Sequence, residues 1–131
     1  AIDPDHARAH SNLGAALERQ GALDRAIEHY DRAIAKQPEY ANAFSNRSYA
    51  YFQKGDHRRA LEDSERAVAL DDKLGMAHVN RGHALAALGR TAEARESYGR
   101  AMSVASDPTV QAEAVRGLES LGSQGRGDES A

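Results

Sequence analysis

Small apolar residues return along this chain at a fixed interval of 34. Ala16, Ala50 and Ala84 form one column, Ala26, Ala60 and Ala94 a second, and Ala33, Ala67 and Ala101 a third. Polar positions keep the same step, in Asn12, Asn46 and Asn80, in Glu28, Glu62 and Glu96, and in Arg32, Arg66 and Arg100. So do Gly21, Gly55 and Gly89. A self-similar period of this length marks a supersecondary unit that buries its apolar face only by stacking on its neighbours.

Each unit reads as two helices around a short turn. The first helices are predicted over 7–20, 41–54 and 75–88, each stopping at its glycine, which takes the left-handed conformation that ends a helix at little cost. The second helices are predicted over 24–36, 58–70 and 92–104. Glu28 before Arg32, and its two counterparts, place acid ahead of base at i, i+4, worth about 0.2–0.5 kcal/mol per pair on a solvated face. The segments QPEY (37–40) and DDKL (71–74) link the units, and DPDH (3–6) stands in the corresponding place before the first. Residues 1–6 therefore read as the end of a preceding repeat or a linker, followed by units at 7–40, 41–74 and 75–108.

After the third unit the spacing slips, with Pro108 two residues late. Residues 109–121 carry Val110, Ala114, Leu118 and Leu121 on one helical face and are expected to cap the array, since a terminal repeat must cover its apolar side. Residues 122–131, GSQGRGDESA, are polar and glycine-rich and are expected to be disordered. No matching cap precedes residue 7, so the first helix is expected to present an uncovered face.

Composition narrows the class. Only 5% of the 131 residues are aromatic, there are three prolines, and alanine dominates, which suits closely approaching helices throughout. The net charge of −3, with both signs interspersed, offers no electrostatic footprint for nucleic acid or anionic lipid. Cysteine is absent, excluding disulfides and thiolate sites. No apolar run reaches the length of a membrane span, and a cytoplasmic location is the default expectation.

These columns resemble the tetratricopeptide repeat, a 34-residue helix–turn–helix unit with the pattern W-x₂-L-G-x₂-Y…A-x₃-F…P. The first unit supplies His10, Leu13-Gly14, Leu17, Ala26, Tyr30 and Pro38. The second supplies Phe44, Arg47-Ser48, Tyr51, Ala60 and Ser64, with Asp72 in the proline's place. The third supplies His78, Arg81-Gly82, Leu85, Ala94 and Tyr98. The resemblance implies an all-α fold, a right-handed superhelical array (an α-solenoid) with the first helices lining a concave groove. That groove would then present Arg8, Asn12, Asn42, Ser45, Asn46, Tyr49, Met76, Asn80 and His83, polar at one end and more apolar at the other.

An asparagine amide offers one acceptor and two donors, matching a peptide bond, so three rungs at a regular rise suit an extended chain. The column is similar to the asparagine ladder in the superhelical repeats of O-GlcNAc transferase. It equally suits bonds between neighbouring repeats that hold their register. A second comparison half fails. Family members that grip the C-terminal carboxylate of heat-shock chaperones use lysine, asparagine, asparagine, lysine and arginine, where this chain has Arg8, Asn12, Asn46, Met76 and Asn80. The third unit lacks both cations and the charge-assisted bonds they would make. Arg47 and Arg81 are expected to pair with acids on the second helices, with Tyr30, Phe44, Tyr51 and Tyr98 in the core.

Six histidines invite a search for metal. His6 and His10 share a helix face, but no third ligand stands in a fixed place, and His10 and His78 occupy the family's aromatic packing column. No phosphate-binding, dinucleotide-binding, zincin or nucleophile-elbow motif occurs. The chain reads as a non-enzymatic protein-interaction module without metal or cofactor, binding an extended peptide segment of a partner. The alternatives are a scaffold that self-associates through its uncapped N-terminal end, giving a homo-oligomer, or the repeat portion of a larger protein.

Overall fold

The computed structural model describes residues 4–130, with side chains over residues 5–122. Seven helices follow one another: α1 (Pro4–Arg19), α2 (Leu23–Lys36), α3 (Ala41–Lys54), α4 (His57–Leu70), α5 (Gly75–Ala87), α6 (Thr91–Val104) and α7 (Pro108–Ser130). Among the described residues there is no strand. The chain is an all-α solenoid of three helix pairs and a final helix.

Two boundaries differ from expectation. α1 starts at Pro4, so residues 4–6 form its first turn rather than a separate element. Proline fits there because the N–H it lacks would be unpaired in any first turn. α7 runs on past residue 121 to Ser130. The disordered tail expected over 122–131 falls, from residue 123, where side chains lie outside the described residues.

The three turns are built alike. Gly21, Gly55 and Gly89 have φ of 82°, 86° and 79°, a conformation that glycine alone adopts without a Cβ penalty. Gly55 N–H donates to Phe52 O at 3.0 Å and Asp56 N–H to Tyr51 O at 2.9 Å, and the same two bonds recur at Gly21 and Gly89. They satisfy carbonyls that a helix end would otherwise leave unpaired. The Asp56 carboxylate also caps α4 by accepting from Arg59 N–H.

Side-chain size sets how the helices of each pair meet. A Cβ at Gly14 would lie 2.6 Å from the Tyr30 ring, and one at Gly82 2.6 Å from the Tyr98 ring. The middle pair uses the opposite solution. There Ser48 faces α4 and donates to Ala60 O at 2.6 Å, while Ser64, in the column of the two tyrosines, donates to Leu61 O at 2.9 Å. Both serines are fully buried. Glycine thus accompanies tyrosine, and serine accompanies serine.

One apolar cluster, with Leu17, Ile27, Tyr30 and Ala50, joins the first two repeats. A second, with Leu61, Val79, Leu85, Tyr98, Val110 and Leu121, runs from the second repeat into α7. The entry to α7 is pinned by Gln111, whose amide donates to Met102 O and Ala105 O at the end of α6. Consecutive first helices approach closely, α1 on α3, α3 on α5 and α5 on α7, whereas the backbones of α2, α4 and α6 stay farther from one another. The first-helix side is therefore the shorter, inner side of the array.

Candidate functional site

The inner face is formed by α1, α3, α5 and α7. Of the nine residues expected there, Arg8, Asn12 and Asn42 are exposed. Asn46, Tyr49, Met76 and His83 are half-buried. Ser45 and Asn80 are only 2% and 3% exposed, and they are spent on each other.

That pair reveals what the asparagine column does. The Asn80 amide NH₂ donates to Ser45 O at 2.9 Å and to Ser45 Oγ at 3.0 Å. One repeat earlier, Asn46 donates to Ser11 Oγ at 3.1 Å. Each rung therefore reaches 35 residues back and ties its repeat to the one before. Asn12, in the first repeat, is exposed. The buried Asn80 Oδ1 has no hydrogen-bond partner among the described residues.

The centre of the inner face is aromatic. The Tyr49 ring stacks on Phe52 with centroids 6.2 Å apart, and Phe52 stacks on His83 at 5.4 Å. His83 Nδ1 shares a 2.7 Å hydrogen bond with the Tyr98 hydroxyl, and its Nε2 stands 4.0 Å from Glu113 of α7. Burial lowers the His83 pKa against the opposing pull of Glu113. Burial, seconded by Glu113, pushes the Tyr98 phenol up to about 12.

A cavity of about 330 Å³ opens beside these rings, lined by Phe52, His83, Ala86, Ala87, Tyr98, Arg116, Gly117 and Ser120. Gly117 lets α7 close onto the Tyr98 ring at its edge, since a Cβ there would lie 2.4 Å from Tyr98 Cζ. Phe52, Arg116 and Gly117 are absent from the expected set. Their signal was weak, since Phe52 shares its column with Glu18 and Ala86, and α7 falls outside the 34-residue register.

The arginines beside the ladder do as expected. Arg47 grips Asp63 of α4 through Nε at 2.7 Å and Nη2 at 2.8 Å, and reaches Asp31 of α2 at 2.8 Å. The bonds to Asp63 lead the causes that raise its pKa. Arg81 donates to Ser97 Oγ at 2.7 Å and stands 3.5 Å from Glu65. Tyr30 and Tyr98 are core, whereas Phe44 and Tyr51 are half-buried, both under the Arg47 guanidinium. In the packing column, His78 Nε2 bonds Asp72 O at 2.7 Å, and His10 Nδ1 meets His29 Nδ1 at 3.2 Å. Among the described residues, no group of three or more metal-ligating side chains converges, and no helix is long and apolar enough to cross a membrane.

One tetratricopeptide-repeat family model matches residues 7–40 and a second matches residues 45–109. No curated protein matches the chain. Several solved structures are similar to it. The first TPR domain of human RPAP3 is 27% identical, with 98% of this chain and 99% of that one covered and a TM-score of 0.87. The first TPR of Spaghetti (RPAP3), bound to the HSP90 peptide SRMEEVD, is 27% identical over 94% and 95% of the two chains, with a TM-score of 0.84. The Sgt2 TPR domain of Aspergillus fumigatus is 26% identical over 100% and 85%, with a TM-score of 0.85.

Proposed function

The chain belongs to the tetratricopeptide repeat family, and on that footing we propose that it is a non-catalytic protein-interaction module that holds an extended peptide segment of a partner along its inner face. The observation that carries this reading is a division of labour among polar side chains. Asn46 and Asn80 hold the repeats in register, while Arg8, Asn12 and Asn42 stand exposed on the same side of the helices. Similar domains bind peptides, the first TPR of Spaghetti taking SRMEEVD.

The test is a selection from a displayed peptide library, followed by mapping of the selected peptides by chemical-shift changes. Perturbation should centre on Asn12, Asn42, Asn46, Tyr49 and His83. Arg8→Glu or Asn42→Glu should weaken binding without moving the melting curve, since both residues are exposed. Shifts confined to α2, α4 and α6 would refute the proposal.

A second reading, self-association through the N-terminal end, rests on Leu13. It is 47% exposed where the next two repeats carry Arg47 and Arg81. Sedimentation velocity over a hundredfold concentration range tests it, and Leu13→Arg should abolish any dimer.

A further inference from the structure

One of the similar solved structures holds an acidic peptide, yet the third repeat here offers a different surface. At the two positions where carboxylate-gripping relatives place cations, this chain has half-buried Met76 and buried Asn80. The Asn80 NH₂ is fully engaged on Ser45. A free terminal carboxylate would find no charged donor there.

What the groove offers instead lies between α3, α5 and α7. The cavity walls are the Phe52 and Tyr98 rings, the His83 imidazole and the methyl groups of Ala86 and Ala87. An apolar cavity of roughly 150 Å³ already accepts a benzene ring, so about 330 Å³ accommodates a whole aromatic side chain. Stacking on Phe52 and edge contact with Tyr98 are the arrangements aromatic rings favour.

Charge fixes what stands beside that ring. Arg116 lines the cavity with its side chain 65% exposed, and its Nη2 is engaged on Glu113 within the same helix. A guanidinium carries five N–H donors, so several remain for a second carboxylate. Arg8 and Arg19 add two exposed cations along the α1 stretch of the same face. Of the nearby carboxylates, Glu18 accepts from the Tyr30 hydroxyl and Glu113 is paired with Arg116, and neither lines the cavity. A cationic occupant would meet Arg116 head on.

We infer that this groove anchors an internal segment of its partner by one aromatic side chain in the α3–α5–α7 cavity, with an acidic residue beside it on Arg116, and not by a terminal carboxylate. The inference rests on the inner face being a peptide groove.

Two probes test it. One is a blocked heptapeptide, acetylated and amidated, with a single tryptophan between two glutamates. The other is the unblocked peptide SRMEEVD. The blocked peptide should bind, shift the resonances of His83, Ala86 and Ala87, and bind more tightly than SRMEEVD. Replacing its tryptophan by alanine, or its glutamates by lysines, should weaken it at least tenfold. Ala87→Phe, an exposed position that would fill the cavity, should do the same while keeping the wild-type melt; Arg116→Gln should erase the preference for glutamate over lysine. Tighter binding of SRMEEVD, or indifference to the tryptophan and to Ala87→Phe, overturns the aromatic anchor while leaving a peptide groove in place. If neither probe, nor any peptide selected from the library, perturbs the inner face, both readings fall together.

Discussion

The Cβ that Gly82 lacks would lie 2.6 Å from Cε1 of Tyr98, closer than any side chain tolerates. The same fit joins Gly14 to Tyr30, and the middle repeat replaces both partners with serine. The pair behaves as one unit. Gly82→Ser should destabilise the protein by about 1–3 kcal/mol through overpacking. In a Tyr98→Ser background, where the ring is gone, the added cost should shrink by about 1–2 kcal/mol. A double-mutant cycle from urea melts measures that coupling; additive effects would show that the ring is free to move aside.

The ladder predicts a sharp ordering at position 80. Asn80→Ala loses two hydrogen bonds but also removes an unpartnered Oδ1 and gains helix propensity, so it should cost only about 0.5–2 kcal/mol. Asn80→Asp puts a buried carboxylate against the Ser45 carbonyl, with only the Ser45 hydroxyl able to turn and donate, and should cost about 3 kcal/mol or more. At exposed position 12 the alanine change should lie within about 0.5 kcal/mol of wild type. Guanidinium melts of the three variants settle the order.

Arg47 joins three helices through unequal contacts. Asp63 is buried and held bidentately, whereas Asp31 is half-exposed and held by one bond. Asp63→Ala should therefore cost about 2–4 kcal/mol, because it strands a partly buried guanidinium. Asp31→Ala should cost about 1 kcal/mol or less. Equal effects would mean that the α2 and α4 contacts are interchangeable.

His83 makes stability depend on pH. Its folded pKa lies below the ordinary 6.5 because it is buried among Tyr49, Phe52 and Tyr98, with Glu113 the one charge pulling the other way. The unfolded chain then binds the proton more readily, so stability is full above 6.5 and declines as pH falls below it. His10, lowered by burial and then by His29, Arg32, His6 and Lys36, adds to the same slope. In His83→Gln the decline between pH 7 and the folded-state pKa should be shallower. Thermal melts across that range provide the check, and an unchanged slope would remove His83 from the account.

Much of this architecture was legible in the sequence because it recurs. The left-handed glycines stand in one column, and a column of that kind has one backbone explanation. Arg47 and Arg81 were readable too, since acids or hydroxyls lie 16 residues on, across the turn. The ladder was not, because a column fixes which residues share a face but not how far each helix is rotated. A few degrees decide whether Asn80 faces a guest or Ser45. The aromatic centre was half legible: Tyr49 and His83 stood out, whereas Phe52 is unique to its repeat and α7 breaks the period.

The Asn–Ser bond gives the array a direction. Every rung needs a donor on the later repeat and an acceptor on the earlier one, so the middle repeat, with Ser45 and Asn46 side by side, can both receive and give. The third repeat carries Val79 where the others carry serine, so it could receive only through its backbone carbonyl. A second copy of residues 41–74 spliced in after residue 74 would thus find its rung on both sides and lengthen the solenoid. A second copy of residues 75–108 after residue 108 would set an asparagine against Val79. The full rung is written into the middle of this chain, and at Val79 it loses its hydroxyl half.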